Sequence, residues 1–256
     1  MVGSMVERRA RSALRFGVKH VFGGVDLLRA ERQEYVFVLA HMRSGSTLLT
    51  HILLGHPTIT GIGERDATYS STSDLYLLGA RGYWEHRWRV KRYRFVVDQI
   101  NHSRYIPNDR LLAHPRLRSI VLVREPEPSI TSMVRLFGER WGWTVEKAVD
   151  YYRARLKALH RYARIKEARM LVLTYTELTE APDPALRRIE GFLGLSSSLG
   201  SSYPTHAYTG IAGDPSGAID AGTITRPRQL TGVPIPARTL NQLQQMYESL
   251  ASKAGT

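Results

Sequence analysis

The stretch from Tyr35 to Pro57, "YVFVLAHMRSGSTLLTHILLGHP", decides how this chain is read. Its first six residues are a continuous apolar run rich in Val and aromatic side chains, the composition of a strand buried on both faces. A Ser/Gly loop follows, and then apolar residues at helical spacing. A strand that feeds such a loop and helix presents unpaired backbone N–H groups and the positive end of a helix dipole. Arg43, Ser44, Gly45, Ser46 and Thr47 would wrap an anion placed there. The loop that binds nucleoside triphosphates reads G-x-x-x-x-G-K-[ST], and this chain has neither its first glycine nor its lysine. Ser-Gly-Ser-Thr after a strand is also what an ordinary helix cap looks like, so the loop alone leaves both readings open.

Working outward, "SIVLVRE" from Ser119 and "MLVLTY" from Met170 are strands of the same kind, and each precedes a helical segment. Short apolar strands separated by helices pair in parallel. They predict a three-layer α/β/α fold with a parallel sheet and a P-loop-like anion-binding loop, its ligands at the carboxyl ends of the strands. The segment Ala148 to Ala168 is the strongest helix, with Val149, Tyr152, Leu156, Leu159 and Tyr162 on one stripe, and its arginines read as a solvated face. A helix from Pro184 to Leu193 ends at Gly194, and "ARTLNQLQQMYESLAS" reads as a final helix. The Gly- and Pro-rich stretch from Tyr203 to Pro236 reads as a long functional loop.

The 256 residues and 43% hydrophobic content fit one domain over 31–256, preceded by a basic segment over 1–30. Cysteine is absent, which excludes disulfides, thiolate metal sites and a cysteine nucleophile. There is no apolar run of transmembrane length and no secretory signal, so the expectation is a soluble, cytoplasmic protein. The net charge of +13 predicts a field that attracts anions. Segment 1–30 carries Arg8, Arg9, Arg11, Arg15, Lys19 and Arg29, and it either contacts an anionic membrane peripherally or packs on the domain. Nucleic acid is not expected as a partner, because no basic run interleaved with aromatics and no helix-turn-helix or finger spacing occurs.

A second motif, "LVREPEPSITSMV", follows the strand at Ser119 and places Arg124 eight residues before Ser132. Together the two segments resemble the sulfotransferases that use 3′-phosphoadenosine-5′-phosphosulfate (PAPS). In that family the 5′-phosphosulfate loop is K/R-S-G-[ST]-[ST], and an Arg with a Ser eight residues on forms the 3′-phosphate site. The resemblance implies that Arg43, Ser44, Gly45, Ser46 and Thr47 hold the phosphosulfate and that Arg124 and Ser132 hold the 3′-phosphate. "LTYTELTEAPDPALRRIEGFLGL" is similar to the family's Y-E-x-L segment and the helix after it, which implies that Tyr175 lies near the adenine. "GIAGDPSGAIDAGTITRPRQ" resembles the late Gly-rich segment that closes over the nucleotide, where Arg226 or Arg228 would reach the 3′-phosphate. The family often has a lysine near the position of Gln99, so one positive contact is left unassigned.

The reaction so implied is an in-line displacement at sulfur, in which the acceptor hydroxyl loses a proton and the bridging oxygen gains charge. It needs a base on one side and cations on the other, where Arg43 and the loop N–H groups stand. No metal is expected. Two residues compete for the base. Glu64 ends what reads as the next strand, 21 residues after Arg43, and "HPTITGIGE" resembles the H-P-x-x-x-x-G-E segment of tyrosylprotein and some bacterial sulfotransferases. His102 precedes Arg124 by 22 residues, close to where cytosolic sulfotransferases place a catalytic histidine. The remaining histidines, His41 among them, read as structural or surface. The acceptor, a carbohydrate, glycolipid or other small-molecule hydroxyl, is expected against Tyr69, Tyr76, Tyr83, Trp84, Trp88 and Tyr93, although these read equally as core. The alternatives are a P-loop kinase and an inactive protein that binds nucleotides or polyanions.

Overall fold

Among the residues described by the computed structural model, 33–85, 93–205, 218–225 and 230–255, five strands form one parallel sheet. They are β1 (Glu34–Ala40), β2 (Ile59–Glu64), β3 (Phe95–Ile100), β4 (Leu117–Val123) and β5 (Arg169–Thr174), in the spatial order β2-β3-β1-β4-β5. The helices are α1 (Ser46–Leu54), α2 (Thr72–Glu85), α3 (Pro126–Trp141), α4 (Val145–Tyr162), α5 (Tyr175–Glu180), α6 (Pro182–Leu193) and α7 (Ala237–Ala251). β1 is central, and its alternation divides the core: Tyr35, Phe37 and Leu39 join one cluster, Val36, Val38 and Ala40 the other. Residues of α2, α3, α4 and α7 cover the first face, and those of α1, α5 and α6 the second. The three-layer parallel fold expected from the strand spacing is therefore present.

Local chemistry sets the element ends. Pro126 opens α3 and Gly142, in the left-handed region, closes it; Thr144 then caps α4 by accepting from the Lys147 N–H. Thr174 and Glu177 form a reciprocal capping box that turns β5 directly into α5. Gly194 ends α6 as expected. The final helix covers Ala237–Ala251.

Two findings differ from the sequence reading. β3 is a strand that the apolar pattern did not reveal, because Asp98 and Gln99 interrupt "FVVDQI", yet all six of its residues are buried. The arginines of α4 are not all solvated: Arg155 is 1% exposed and bonds to strand-end carbonyls. Helical periodicity places Arg155 beside Leu156 and Leu159, on the buried stripe, and the guanidinium is tolerated because every direction it points in offers an acceptor.

The chain leaves β1 for β2, returns to β3 on one side of β1, and then crosses to β4 on the other side. This reversal opens a crevice beyond the carboxyl ends of β3, β1 and β4, where ligands bind in open α/β sheets. No helix among the described residues is long and apolar enough to cross a membrane. Segment 1–30, Arg226, Arg228 and Trp88 lie outside the described residues, as do the side chains of Tyr83 and Trp84.

Candidate active site

The loop after β1 turns sharply. Arg43 and Gly45 both lie in the left-handed region, at φ 64° and 88°, and Gly45 is the N-cap of α1. Glycine is required there twice over, since a Cβ at position 45 would meet the Tyr175 ring at 2.5 Å. No side chain caps α1, and the Ser44 hydroxyl is buried without a partner among the described residues. An uncapped helix end, an unused hydroxyl and the Arg43 guanidinium suit an oxyanion, so the residues fit the 5′ end of a phosphosulfate donor.

The two motifs recognised in the sequence meet in space. Arg43 Nε donates to Ser132 Oγ at 3.0 Å, and Arg124 donates to the Arg43 carbonyl at 3.2 Å. The Arg124 guanidinium lies over the Tyr175 ring, 4.2 Å from its centroid. Tyr175 thus packs on Gly45 and Arg124 together. Beside this cluster a cavity of about 460 Å³ is walled by Arg124, Pro128, Thr131, Tyr175, Thr179 and Gly232.

Helix α4 secures the strand ends that carry these groups. Arg155 donates to the carbonyls of Ala40 (2.7 Å) and Ile100 (2.6 Å), the last residues of β1 and β3, and to Ser103 Oγ. Tyr152 donates to the Arg124 carbonyl, while Tyr151 accepts from the Met42 N–H and donates to the Asn101 carbonyl. His41 completes the frame: its Nε2 accepts from the Arg124 N–H at 3.0 Å, and its Nδ1 donates to the Met42 carbonyl at 2.9 Å. Burial, aided by Arg155 and Arg124, pushes the His41 pKa down to about 4, so the ring is neutral, as one donated and one accepted bond require.

Glu64 stands at the end of β2, as expected, where the pairing with β3 shifts between Gly61 and Glu64 and Gly63 takes φ 84°. Its two oxygens accept from Asn101 Nδ2 (2.9 Å) and Gln99 Nε2 (3.2 Å). Burial and the nearby Asp66 push its pKa up to about 7, against the opposing pull of Asn101, Arg155 and Gln99. The carboxyl group therefore exchanges a proton near neutral pH. Two of its four lone-pair positions are taken, which leaves capacity for a substrate proton.

His102 is half-buried, with ring contacts to Tyr105 and Tyr151, and burial and Arg104 lower its pKa. The aromatics expected against the acceptor divide differently. Tyr69 is 2% exposed and donates to Asp98 at 2.5 Å, and Tyr76 accepts from Arg116, so both have internal partners. A different aromatic series stands beside the site: Tyr105, His102, Tyr151, Trp143 and Phe137 follow one another at centroid distances of 5.4 to 5.9 Å. It ends in Trp141, 58% exposed and 5.0 Å from Phe137.

Sequence reasoning passed over Asn101 and Tyr151, and it read Tyr152 as core, Arg155 as solvated and His41 as structural or surface. For Gln99 and Asn101 a signal existed: two amides at i and i+2 at the carboxyl end of a buried run lie on one face of a strand.

A family model described as "Sulfotransferase family" matches residues 69–198, half of the chain; the match includes Arg124 and Ser132 and begins beyond Arg43 and Glu64. In fold the chain is similar to the sulfotransferase domain from the curacin biosynthetic pathway. The identity is 17% and the TM-score 0.56, over 87% of this chain and 99% of that one. It is similar also to the sulfotransferase domain of the Synechococcus PCC 7002 olefin synthase, at 21% identity and a TM-score of 0.58, over 85% of this chain and 96% of that one. Mouse sulfotransferase SULT7A1 complexed with PAP matches at 16% identity and a TM-score of 0.44, over 70% of this chain and 65% of that one. No protein of curated function matches the sequence.

Proposed function

Since the chain belongs to the sulfotransferase family, we propose that the sulfuryl group it transfers comes from PAPS and goes to a hydroxyl acceptor, with Glu64 as general base. The observation that carries this reading is the convergence of Arg43, Arg124 and Ser132 at the uncapped start of α1, with Glu64 tied to the same helix through Asn101 and Ser46. Arg43, Ser44, Gly45, Ser46 and Thr47 hold the phosphosulfate; Arg124 and Ser132 hold the 3′-phosphate. The cavity beside Tyr175 takes the nucleoside.

The acceptor oxygen attacks sulfur opposite the bridging oxygen. The new S–O bond forms as the bond to the 5′-phosphate breaks, and the hydroxyl proton passes to the Glu64 carboxylate. The bond pair leaves on 3′-phosphoadenosine 5′-phosphate (PAP), whose gathering charge faces Arg43 and the loop N–H groups. No metal takes part. The aromatic series from Trp141 to Tyr105 supports an acceptor with a ring or apolar body next to its hydroxyl, as in glycolipids, sugars and phenols. We place the enzyme in the cytoplasm, with segment 1–30 as its contact with anionic membrane.

Radiolabelled PAPS turned over against a panel of hydroxyl acceptors tests the reading, with EDTA expected to leave the rate unchanged. A positioned base contributes roughly 10² to 10⁴ in rate, so Glu64→Gln should lower kcat by about that factor at unchanged PAP affinity. His102→Gln should cost less than about tenfold. A Glu64→Gln enzyme that keeps most of its kcat beside a His102→Gln enzyme that loses several hundredfold would transfer the role of base to His102.

A further inference from the structure

Gln99 and Asn101 hold Glu64 from the same strand end, and each is itself held by α1. Ser46 Oγ donates to Asn101 Oδ1 at 3.3 Å, and one turn further on Thr50 Oγ1 donates to Gln99 Oε1 at 3.1 Å. All four side chains are buried. We propose that Gln99 and Asn101 are positioning residues for Glu64, and that the hydroxyls of α1 set which end of each amide faces the carboxylate. The helix that begins in the donor loop thereby governs the proton affinity of the base. This inference rests on the reading of Glu64 as base.

A primary amide offers an acceptor at one end and donors at the other, and the two ends have nearly the same shape. Facing a carboxylate, the NH₂ end attracts and the carbonyl end repels. Thr50 and Ser46 present hydroxyl protons to the amide oxygens, which turns both NH₂ groups toward Glu64. Without the Thr50 hydroxyl, Gln99 loses the partner that fixes its orientation, and the carboxylate loses a reliable donor.

The charged and titratable groups that face Glu64 are Asp66, two residues along the chain, and Arg155 and Tyr151 from α4. Asp66 raises its proton affinity and Arg155 lowers it. The Thr50 hydroxyl is given to Gln99. A change at Thr50 therefore reaches Glu64 through the amide.

The test is Thr50→Val, which keeps the shape of the side chain and removes the hydroxyl. The Glu64 carboxyl is followed by ¹³C NMR of Glu-labelled protein, assigned with Glu64→Gln, and PAP affinity serves as the control for folding. The midpoint of Glu64 should rise by about half to one unit, the equivalent of one neutral hydrogen bond. Thr50→Ser should restore the parental midpoint, and Gln99→Met should reproduce the rise by an independent route. The acid limb of kcat should move with the midpoint. An unmoved midpoint in both Thr50→Val and Gln99→Met, with PAP affinity intact, overturns the proposal. If the midpoint rises while the kcat limb stays in place, the positioning holds and the role of Glu64 as base falls.

Discussion

Replacing Arg155 with Met removes the group that joins the ends of β1 and β3. Methionine fills a similar volume, so packing is largely kept while three hydrogen bonds go, two of them to the buried ends of the strands at Ala40 and Ile100. Each carbonyl left without a donor costs about 1 to 3 kcal/mol, and breaking a buried charged network costs about 3 to 5 kcal/mol in all. Against the 5 to 15 kcal/mol typical of folded domains, a loss of about 4 kcal/mol is large. Arg155 also faces Glu64 and holds its proton affinity down, so its removal moves the Glu64 titration upward from about 7. Chemical denaturation of the parent and Arg155→Met measures the first effect, and the acid limb of kcat the second. Arg155→Lys belongs in the same series: it keeps the charge but lacks the planar fork that reaches both carbonyls, and should recover the titration better than the stability. A stability loss below about 1 kcal/mol, with the acid limb unmoved, would show that Arg155 neither joins the two strand ends nor acts on Glu64.

The remaining predictions concern the loop and its frame. Gly45→Ala places a Cβ against Tyr175 at a left-handed position, and should cost about 1 to 2 kcal/mol in stability and at least tenfold in PAP affinity, read by calorimetry. His41 is buried and neutral, with its folded pKa of about 4 below the unfolded value of about 6.5. The depressed pKa means that the stability it contributes is intact above pH 6.5 and is lost as pH falls from 6.5 toward 4, to a total of about 3 kcal/mol. Glu64 and Asp98, both raised to about 7, have the opposite sign over the range above their unfolded values. Denaturation of the parent and His41→Gln at a series of pH values isolates the His41 share as the difference between the two curves. Curves that run parallel from pH 7 to pH 4 would contradict the buried neutral ring.

The parts of the fold legible in the sequence were those written in continuous patterns. β1, β4 and β5 each carry an uninterrupted apolar run, Tyr35–Ala40, Ile120–Val123 and Met170–Leu173, and the loop from Arg43 to Thr47 follows the first of them. Arg124 and Ser132 were singled out by a resemblance that includes their offset of eight, and the structure brings both to Arg43. β3 escaped because its polar residues face partners that the sequence does not place near it: Tyr69 for Asp98, Thr50 and Glu64 for Gln99. Arg155 looked solvated for the same reason, since what satisfies it is the ends of two strands more than fifty residues away in the chain. The aromatics Tyr69 and Tyr76 read equally as acceptor pocket and as core, because the partners that decide it, Asp98 and Arg116, lie 29 and 40 residues further along the chain. Periodicity reports burial, and it is silent about buried polar groups whose partners come from elsewhere.

Titration of PAP against ATP on the parent and on Arg124→Ala tests, without knowledge of the acceptor, whether the crevice at Arg43 and Arg124 is a PAPS site. The structure has Arg124 over Tyr175 and bonded to the loop at Arg43. The loss of a charge-assisted contact of about 1.5 to 3 kcal/mol corresponds to roughly 10- to 150-fold in affinity. PAP should bind the parent more tightly than ATP, and Arg124→Ala should lose PAP affinity by that factor while it keeps its fold. Equal PAP affinity in the two proteins, or a parent that prefers ATP, would contradict a PAPS site there.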